Sequence, residues 1–500
     1  MKLLFCFPHQ NLNADSTDGM RRPIISFPLG ILMMSAYLRA KGWGGEMAIY
    51  DARLSGTFDN EQQRFGDSSE VISQRIKNES PDVVAISNMF SSQIGCALEV
   101  ARIVKEISPD IVTVIGGPHA SSFPLELLAQ NDVDYVVMGE GEERLLQLLE
   151  VLEEGGEPKI QGVLGRPEDA SLLKTNPKVP IDFIENLDDL PFPAYDLVDV
   201  ERYFYLQSRG FSPRTIEPGK RTVTILTSRG CPHKCVFCSI QATMGYKWRY
   251  HSASYIQRLI GYLIENLKID YIHFEDDNFT HDPLRYDEIL DVLLELKTPL
   301  KWDTPNGVRG DTWTFERVQK SKAAGCQFLL VSIESGVQSV IDNVVKKRLD
   351  LKQVDDLMAY CKKAKLRLYA CYILGLPGER LQDINETVDF ALTRYQKYNV
   401  HPALTLAMTL PGTEMYDIVM ENKMFNGELR YGPNQLTTDE FDPDTISRIY
   451  NNALQKKMRI MIVKSLTSPT EFYYNLKLVL NAWTVAKDVL KRTLNRYVKI

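Results

Sequence analysis

The stretch Arg229-Gly-Cys-Pro-His-Lys-Cys-Val-Phe-Cys-Ser239 follows an apolar run, Val223 to Thr227, and sets three thiols, Cys231, Cys235 and Cys238, within eight residues. Four thiolates would close a zinc or iron-sulfur site. Three leave one iron of a cubane cluster open to a further ligand. A zinc site completed by His233 is one alternative, disfavoured because His233 lies inside the C-x-x-x-C arm whereas structural zinc draws a second ligand pair from a distance. A ferredoxin-type carrier is another, and its fourth cysteine is not evident in the sequence. The stretch therefore predicts a strand, then a loop that presents one reactive iron.

Downstream, short apolar runs alternate with helical patterns. Strands are expected at Tyr271 to Glu275, Lys301 to Thr304, Phe328 to Ile333, Arg367 to Ile373 and about Ala403 to Met408, with helices between them. Six strands with helical crossovers predict a partial (β/α)6 barrel of TIM type. Its reactive residues belong at the strand C-termini, where the cysteine loop falls.

Upstream, residues 1–154 show the same rhythm, with strands at Lys2 to Phe7, Glu46 to Tyr50, Asp82 to Ser87, Ile111 to Gly116 and from Tyr135. This predicts a doubly wound, Rossmann-like α/β domain with its ligand beyond the strand C-termini, near Ser87, Asn88, Gly116, Gly117, His119, Gly139, Glu140 and Gly141. No G-x-G-x-x-G follows the first strand, which argues against a nicotinamide or flavin dinucleotide. Residues 155–220 collect prolines and read as a connector, with Leu187 to Asp196 packed between domains. The barrel is expected over 221–415 and a mainly helical region over 416–500.

The formal net charge of -7 argues against general nucleic-acid binding, yet Lys456 to Ile500 carries ten Lys or Arg against Glu471 and Asp488. The start reaches polar His9 and Gln10 too soon for a signal peptide, and no run of about 20 apolar residues is present, so a cytoplasmic location is expected. Cys6, Cys96, Cys326, Cys361 and Cys371 are scattered and read as buried thiols rather than a disulfide framework.

The thiol spacing at the end of a first barrel strand resembles the radical S-adenosylmethionine (SAM) superfamily. The later strand ends extend the likeness: Glu275-Asp276-Asp277-Asn278-Phe279, Asn306-Gly-Val-Arg-Gly310, Ser332-Ile-Glu-Ser-Gly336, Ile373-Leu-Gly-Leu-Pro-Gly-Glu379 and Leu410-Pro-Gly-Thr-Glu414. With the doubly wound domain and the Leu-Pro-x-Pro-Ala-Tyr-Asp connector, Met1 to Tyr416 resembles the cobalamin-dependent radical SAM family. The resemblance implies a 4Fe-4S cluster on Cys231, Cys235 and Cys238, SAM at its open iron beside Phe237 and Gly375, and cobalamin on the N-terminal domain. SAM is a zwitterionic sulfonium. The expected acceptors for its ammonium are Asp276 and Asp277, the donors for its carboxylate Arg309 or Arg249, and the ribose contacts Glu334 and Ser335. The D-x-H-x-x-G motif that supplies a histidine to cobalt is absent, which leaves His119 as a ligand or, preferably, a loop residue.

By that resemblance the function is C-methylation of an unactivated carbon through a 5'-deoxyadenosyl radical and methylcobalamin, with an external electron donor of flavodoxin or ferredoxin type. Cyclisation, ring contraction or another rearrangement without net methyl transfer is the alternative, and a non-catalytic cobalamin and iron-sulfur sensor the alternative of another class. Pro469 to Ile500 reads as a basic amphipathic helix. It either packs on the barrel or touches an anionic membrane, which would suit a hydrophobic or lipid-like small-molecule substrate.

Overall fold

A computed structural model describes residues 1–12, 23–59, 61–166, 182–211, 220–427, 429 and 432–476. The N-terminal half is a six-stranded sheet with β1 (Lys2–Phe7), β2 (Glu46–Asp51), β3 (Val83–Ser87), β4 (Val112–Gly116), β5 (Tyr135–Val137) and β6 (Val163–Gly165) in the order β2-β1-β3-β4-β5-β6. The first five are parallel and β6 is antiparallel to β5. A sheet covered on both faces needs apolar residues on both, and β1 supplies them: Leu4 and Cys6 face one core while Phe5 and Phe7 face the other. Helix α1 (Leu29–Ala40) and α4 (Glu142–Glu153) cover the Phe5 side; α2 (Ser69–Glu79) and α3 (Ile94–Ile107) cover the Leu4 side. The sheet reaches Gly165, past the boundary expected at 154, because β6 is a short edge strand of three residues with little periodicity to detect.

The second half is a parallel sheet of β7 (Thr222–Ile225), β8 (Tyr271–Phe274), β9 (Lys301–Asp303), β10 (Cys326–Glu334), β11 (Arg367–Leu374) and β12 (His401–Leu406), in sequence order. Helices α5 (Ala253–Leu267), α6 (Pro283–Leu294), α7 (Phe315–Ala323), α8 (Leu351–Ala364) and α9 (Leu381–Tyr398) form the outer layer, and α10 (Pro443–Thr467) follows. Their starts carry side-chain caps where the sequence offers them: Ser252 accepts from the Tyr255 N–H and Thr314 from the Arg317 N–H. Strand β11 alternates half-buried and buried residues, so Tyr369, Cys371 and Ile373 look inward while Leu368, Ala370 and Tyr372 pack under the helices. Cys6, Cys96, Cys326 and Cys361 are buried and Cys371 half-buried, all as free thiols.

The connector belongs to the barrel core. Tyr195, Tyr203 and Phe204 join the same apolar cluster as Ile256 and Phe274, together with Phe27 and Leu32 from the N-terminal domain. Phe27 stacks on Tyr203 at 4.4 Å and meets Tyr195 edge-on at 5.2 Å. The Tyr203 hydroxyl donates to Asp51 at 2.7 Å, and Asp51 also holds Arg53. After β10 a short helix, Gln338–Val340, is continued by a wide turn, Ile341–Val345. Tail residues beyond 476, including most of the expected basic helix, lie outside the described residues.

Phe27→Ala removes a ring shared by both halves and is expected to cost about 3–5 kcal/mol of stability. A loss under about 1 kcal/mol in chemical denaturation would show that the halves are not joined through this ring.

Candidate active site

The cysteine loop is a hairpin whose stem is a pair of two-residue strands, Ser228–Arg229 against Arg249–Tyr250. Its tip is pinned by backbone bonds: Val236 donates to the Val345 carbonyl at 3.1 Å and accepts from the Met415 N–H at 2.8 Å. Gly230 has φ of 82°, and a β-carbon there would sit 2.4 Å from the Lys247 carbonyl, so only glycine allows the chain to turn into the loop. All three cluster thiols are half-buried. Burial raises each of them, that of Cys238 up to about 12. The Asn278 amide faces the Cys231 Sγ at 3.7 Å.

Among the described residues no three His, Cys, Asp or Glu side chains converge as ligands of a single ion. His233 packs against the His281 ring. Thiols spread around one loop suit a multi-iron cluster, whose protein ligands stand apart on different irons.

The strand ends behind the loop are tightly organised, and several expected SAM contacts are already engaged. Asp276 accepts from the Thr227 N–H at 3.1 Å and from the Thr227 and Ser228 hydroxyls at 2.7 and 2.5 Å. Its Oδ2 is buried without a hydrogen-bond partner. Asp277 accepts from the Gly230 N–H at 2.7 Å, and burial, against that hydrogen bond and with the neighbouring Asp276 adding, pushes its carboxyl up to about 7. Both carboxylates thus hold the entry to the cysteine loop, each through one oxygen. Arg309 is spent on Asp311 and on the Lys347 and Arg348 carbonyls. The terminal nitrogens of Arg249 go to Glu140 and to the Ile184 and Met244 carbonyls. Neither presents a free fork for a carboxylate.

Glu334 pairs with Lys347 at 2.7 Å, both buried, and Ser335 bonds the Thr387 hydroxyl and the Val337 N–H. Glu334 also has φ of 75°, unusual for a residue with a β-carbon and a mark of a constrained strand end. Gly375, at φ 87°, donates to Glu379 at 2.9 Å. Phe237 packs half-buried on the barrel core.

Between the halves lies a cavity of about 360 Å³. On the N-terminal side it is lined by Phe5, Phe7, Phe27 and Met34, and by Ser87, Asn88, Gly116, Gly117, Gly139, Glu140 and Gly141. On the barrel side it is lined by Thr224, Leu226, Arg229, Ile240, Thr243, Met244 and Glu275. Gly117 (φ 120°) passes so close to the Asn88 carbonyl that a β-carbon would lie 2.0 Å from it. The Asn88 Oδ1 and Thr224 Oγ1 are buried without partners. These glycines, the apolar wall and the unpartnered oxygens fit a bulky, mainly apolar ligand with a few polar groups. His119 does not line the cavity. It sits in the short helix Pro118–Ser122, against Phe123 and 3.6 Å from Glu126.

One set of polar residues was not singled out from the sequence. Inside the barrel Asp303 accepts from the Tyr271 hydroxyl at 2.7 Å and contacts the His273 Nδ1 at 2.5 Å. The His273 Nε2 is buried without a hydrogen-bond partner, in the same strand layer as Thr224. The clue was Tyr-x-His in β8 beside Lys-x-Asp in β9, polar residues at alternate positions of strands whose other residues are core.

Three thiols stand on a hairpin at the rim of the parallel barrel, beside a glycine-lined, nucleotide-type fold, and the chain joins a B12-binding domain to a radical SAM domain. Residues 22–149 match the B12 binding domain model and residues 225–391 the Radical SAM superfamily model. Cytidylyl-2-hydroxyethylphosphonate methyltransferase of Streptomyces wedmorensis is 29% identical over 401 residues, 74% of each chain. Anaerobic magnesium-protoporphyrin IX monomethyl ester cyclase of Rubrivivax gelatinosus is 23% identical over 396 residues, 78% of this chain and 65% of the relative. In fold, the chain matches the radical SAM methyltransferase TsrM from Kitasatospora setae, solved with cobalamin and a [4Fe-4S] cluster, with TM-score 0.66 and 15% identity over 97% of this chain and 99% of TsrM.

Burial pushes the Glu379 carboxyl up to about 8, against the Leu376 and Gly375 N–H donors. The folded state therefore binds its proton more tightly than the unfolded chain, whose ordinary value is 4.5. The sign follows: this group lowers stability as pH rises from 4.5 to about 8. Glu379→Gln is expected to flatten that decline in denaturation midpoints measured at pH 5 and pH 8; an unchanged slope would assign the decline to other groups.

Proposed function

We propose that the chain is a C-methyltransferase that moves a methyl group to an unactivated carbon of a small, largely apolar substrate. The observation that carries this reading is the single cavity bounded on one side by the B12-binding domain and on the other by the first two barrel strand ends. When bound, the cluster and SAM supply a 5'-deoxyadenosyl radical and cobalamin supplies a transferable methyl group. Cys231, Cys235 and Cys238 hold the cluster; Asp276 and Asp277 shape the loop that carries it; Asn88, Gly117, Gly139 and Gly141 let the N-terminal loops approach the cobalamin. The aromatic wall of Phe5, Phe7 and Phe27 keeps water away from reactive carbon. The outer edge of the cysteine loop exposes Pro232 and Lys234, which gives an external electron donor a route to the cluster.

The methyltransferase and cyclase relatives define the two readings to be separated. Anaerobic, reconstituted protein with dithionite and SAM is expected to form 5'-deoxyadenosine; with methyl-labelled SAM and cell extract, a product heavier by one labelled methyl supports methylation. Deoxyadenosine without methyl gain would replace it with the cyclase or rearrangement reading. Replacing Cys231, Cys235 and Cys238 together with Ala is expected to abolish deoxyadenosine while cobalamin binding persists.

We also propose contact of the C-terminal region with an anionic lipid surface. Among the described residues no helix is long and apolar enough to cross a membrane. Helix α10 nevertheless exposes Met458, Ile462, Val463 and Leu466, and the helical turns at 469–476 expose Phe472, Tyr473 and Leu476, beside exposed Lys456 and Arg459. The doubly substituted Leu466→Glu, Phe472→Glu protein is expected to lose flotation with vesicles containing phosphatidylserine; unchanged flotation, or none by the unaltered protein, would end this proposal.

A further inference from the structure

The stem of the cysteine hairpin brings Arg229 directly opposite Arg249, a pairing of like charges that opposes hairpin closure on its own. Both guanidiniums turn instead to the N-terminal domain, where the turn after β5 meets them. Arg229 donates to Glu140 at 3.0 Å and to Glu142 at 2.7 Å. Arg249 donates to both Glu140 oxygens, at 2.8 and 3.0 Å. The connector closes the set: the Ile184 N–H donates to Glu140 at 2.8 Å and its carbonyl accepts from Arg249 at 2.6 Å. All four charged side chains are less than a tenth exposed.

Arg229 stands two residues before Cys231, while Glu140 and Glu142 flank Gly141 at the N-terminal wall of the same cavity. Buried ion pairs of this kind stabilise little better than apolar packing of the same volume, so strength alone does not account for three of them at one seam. What they provide is direction, since planar guanidinium forks fix both distance and angle.

We propose that Glu140 and Glu142 are positioning residues which lock the stem of the cysteine hairpin to the B12-binding domain, keeping the cluster loop and the cobalamin-side loops at one spacing across the cavity. This rests on the methyltransferase reading above. Cleavage of SAM to deoxyadenosine needs only the barrel and its hairpin. Transfer of the SAM methyl to reduced cobalamin held by the other domain, the sulfonium leaving as S-adenosylhomocysteine, would need the two domains in register. Loosening the clasp therefore separates the two products.

The test uses Glu142→Gln, which keeps shape and an acceptor while removing the charge that faces Arg229, and Glu140→Gln as a second variant. Reconstituted full-length protein is given SAM and dithionite without substrate. Deoxyadenosine is expected to stay within about three-fold of the unaltered protein while S-adenosylhomocysteine falls about ten-fold or more. Equal loss of both, or no change in their ratio, overturns the proposal. Hydrogen exchange on the cofactor-free chain gives an independent readout: residues 228–250 are expected to exchange faster in the variants while 367–374 stay unchanged, and a uniform rise would reduce the clasp to general stability. If the unaltered protein makes no S-adenosylhomocysteine, the methyltransferase reading fails, and hydrogen exchange still decides the clasp.

Discussion

Two guanidiniums and two carboxylates, Arg229, Arg249, Glu140 and Glu142, meet buried between the halves, and the cavity depends on their neutralising one another. A single one of these charges left unpaired in that seam would cost several kcal/mol, enough to offset much of a domain's stability. Burial alone would raise the Glu142 carboxyl, yet Arg229 holds it below its ordinary value, so it stays ionised in the dry seam. Charge neutrality thus requires the turn after β5 and the hairpin stem to arrive together. The rings of Phe27, Tyr195 and Tyr203 make that arrival favourable through apolar contact, while the ion pairs set its register.

This division of labour explains which features could be read from the sequence. Periodicity is a local property, so β1, β3, β8 and β11 declared themselves within one or two residues of their ends. The cysteine loop did so through thiol spacing alone. Partnerships across the chain leave no such trace. Arg249 had the chemistry of a carboxylate donor, and nothing within ten residues of it revealed that Glu140, 109 positions away, already held it. His119 is a related case: a histidine after a strand end looks available to a ligand, but at the start of the short helix Pro118–Ser122 it packs against Phe123 and is not part of the cavity lining.

The converse holds inside the barrel. Asp303, Tyr271 and His273 are polar residues within strands, and their alternation with Ile272, Phe274 and Trp302 is what marks them as inward-facing. Parallel pairing of β7, β8 and β9 is what brings them together, since Thr224, His273 and Asp303 stand side by side on adjacent strands.

That layer bears on what the cavity accepts. Its walls are mainly carbon, with Phe5, Phe7, Phe27, Met34 and Leu226 among them, yet buried oxygens of Asn88 and Thr224 on opposite sides lack partners. An unsatisfied buried polar atom costs about 1–3 kcal/mol, which a purely hydrocarbon occupant would leave uncompensated. A ligand that offers an N–H or O–H to the Asn88 oxygen and a polar group to the Thr224 hydroxyl would recover that energy at both ends.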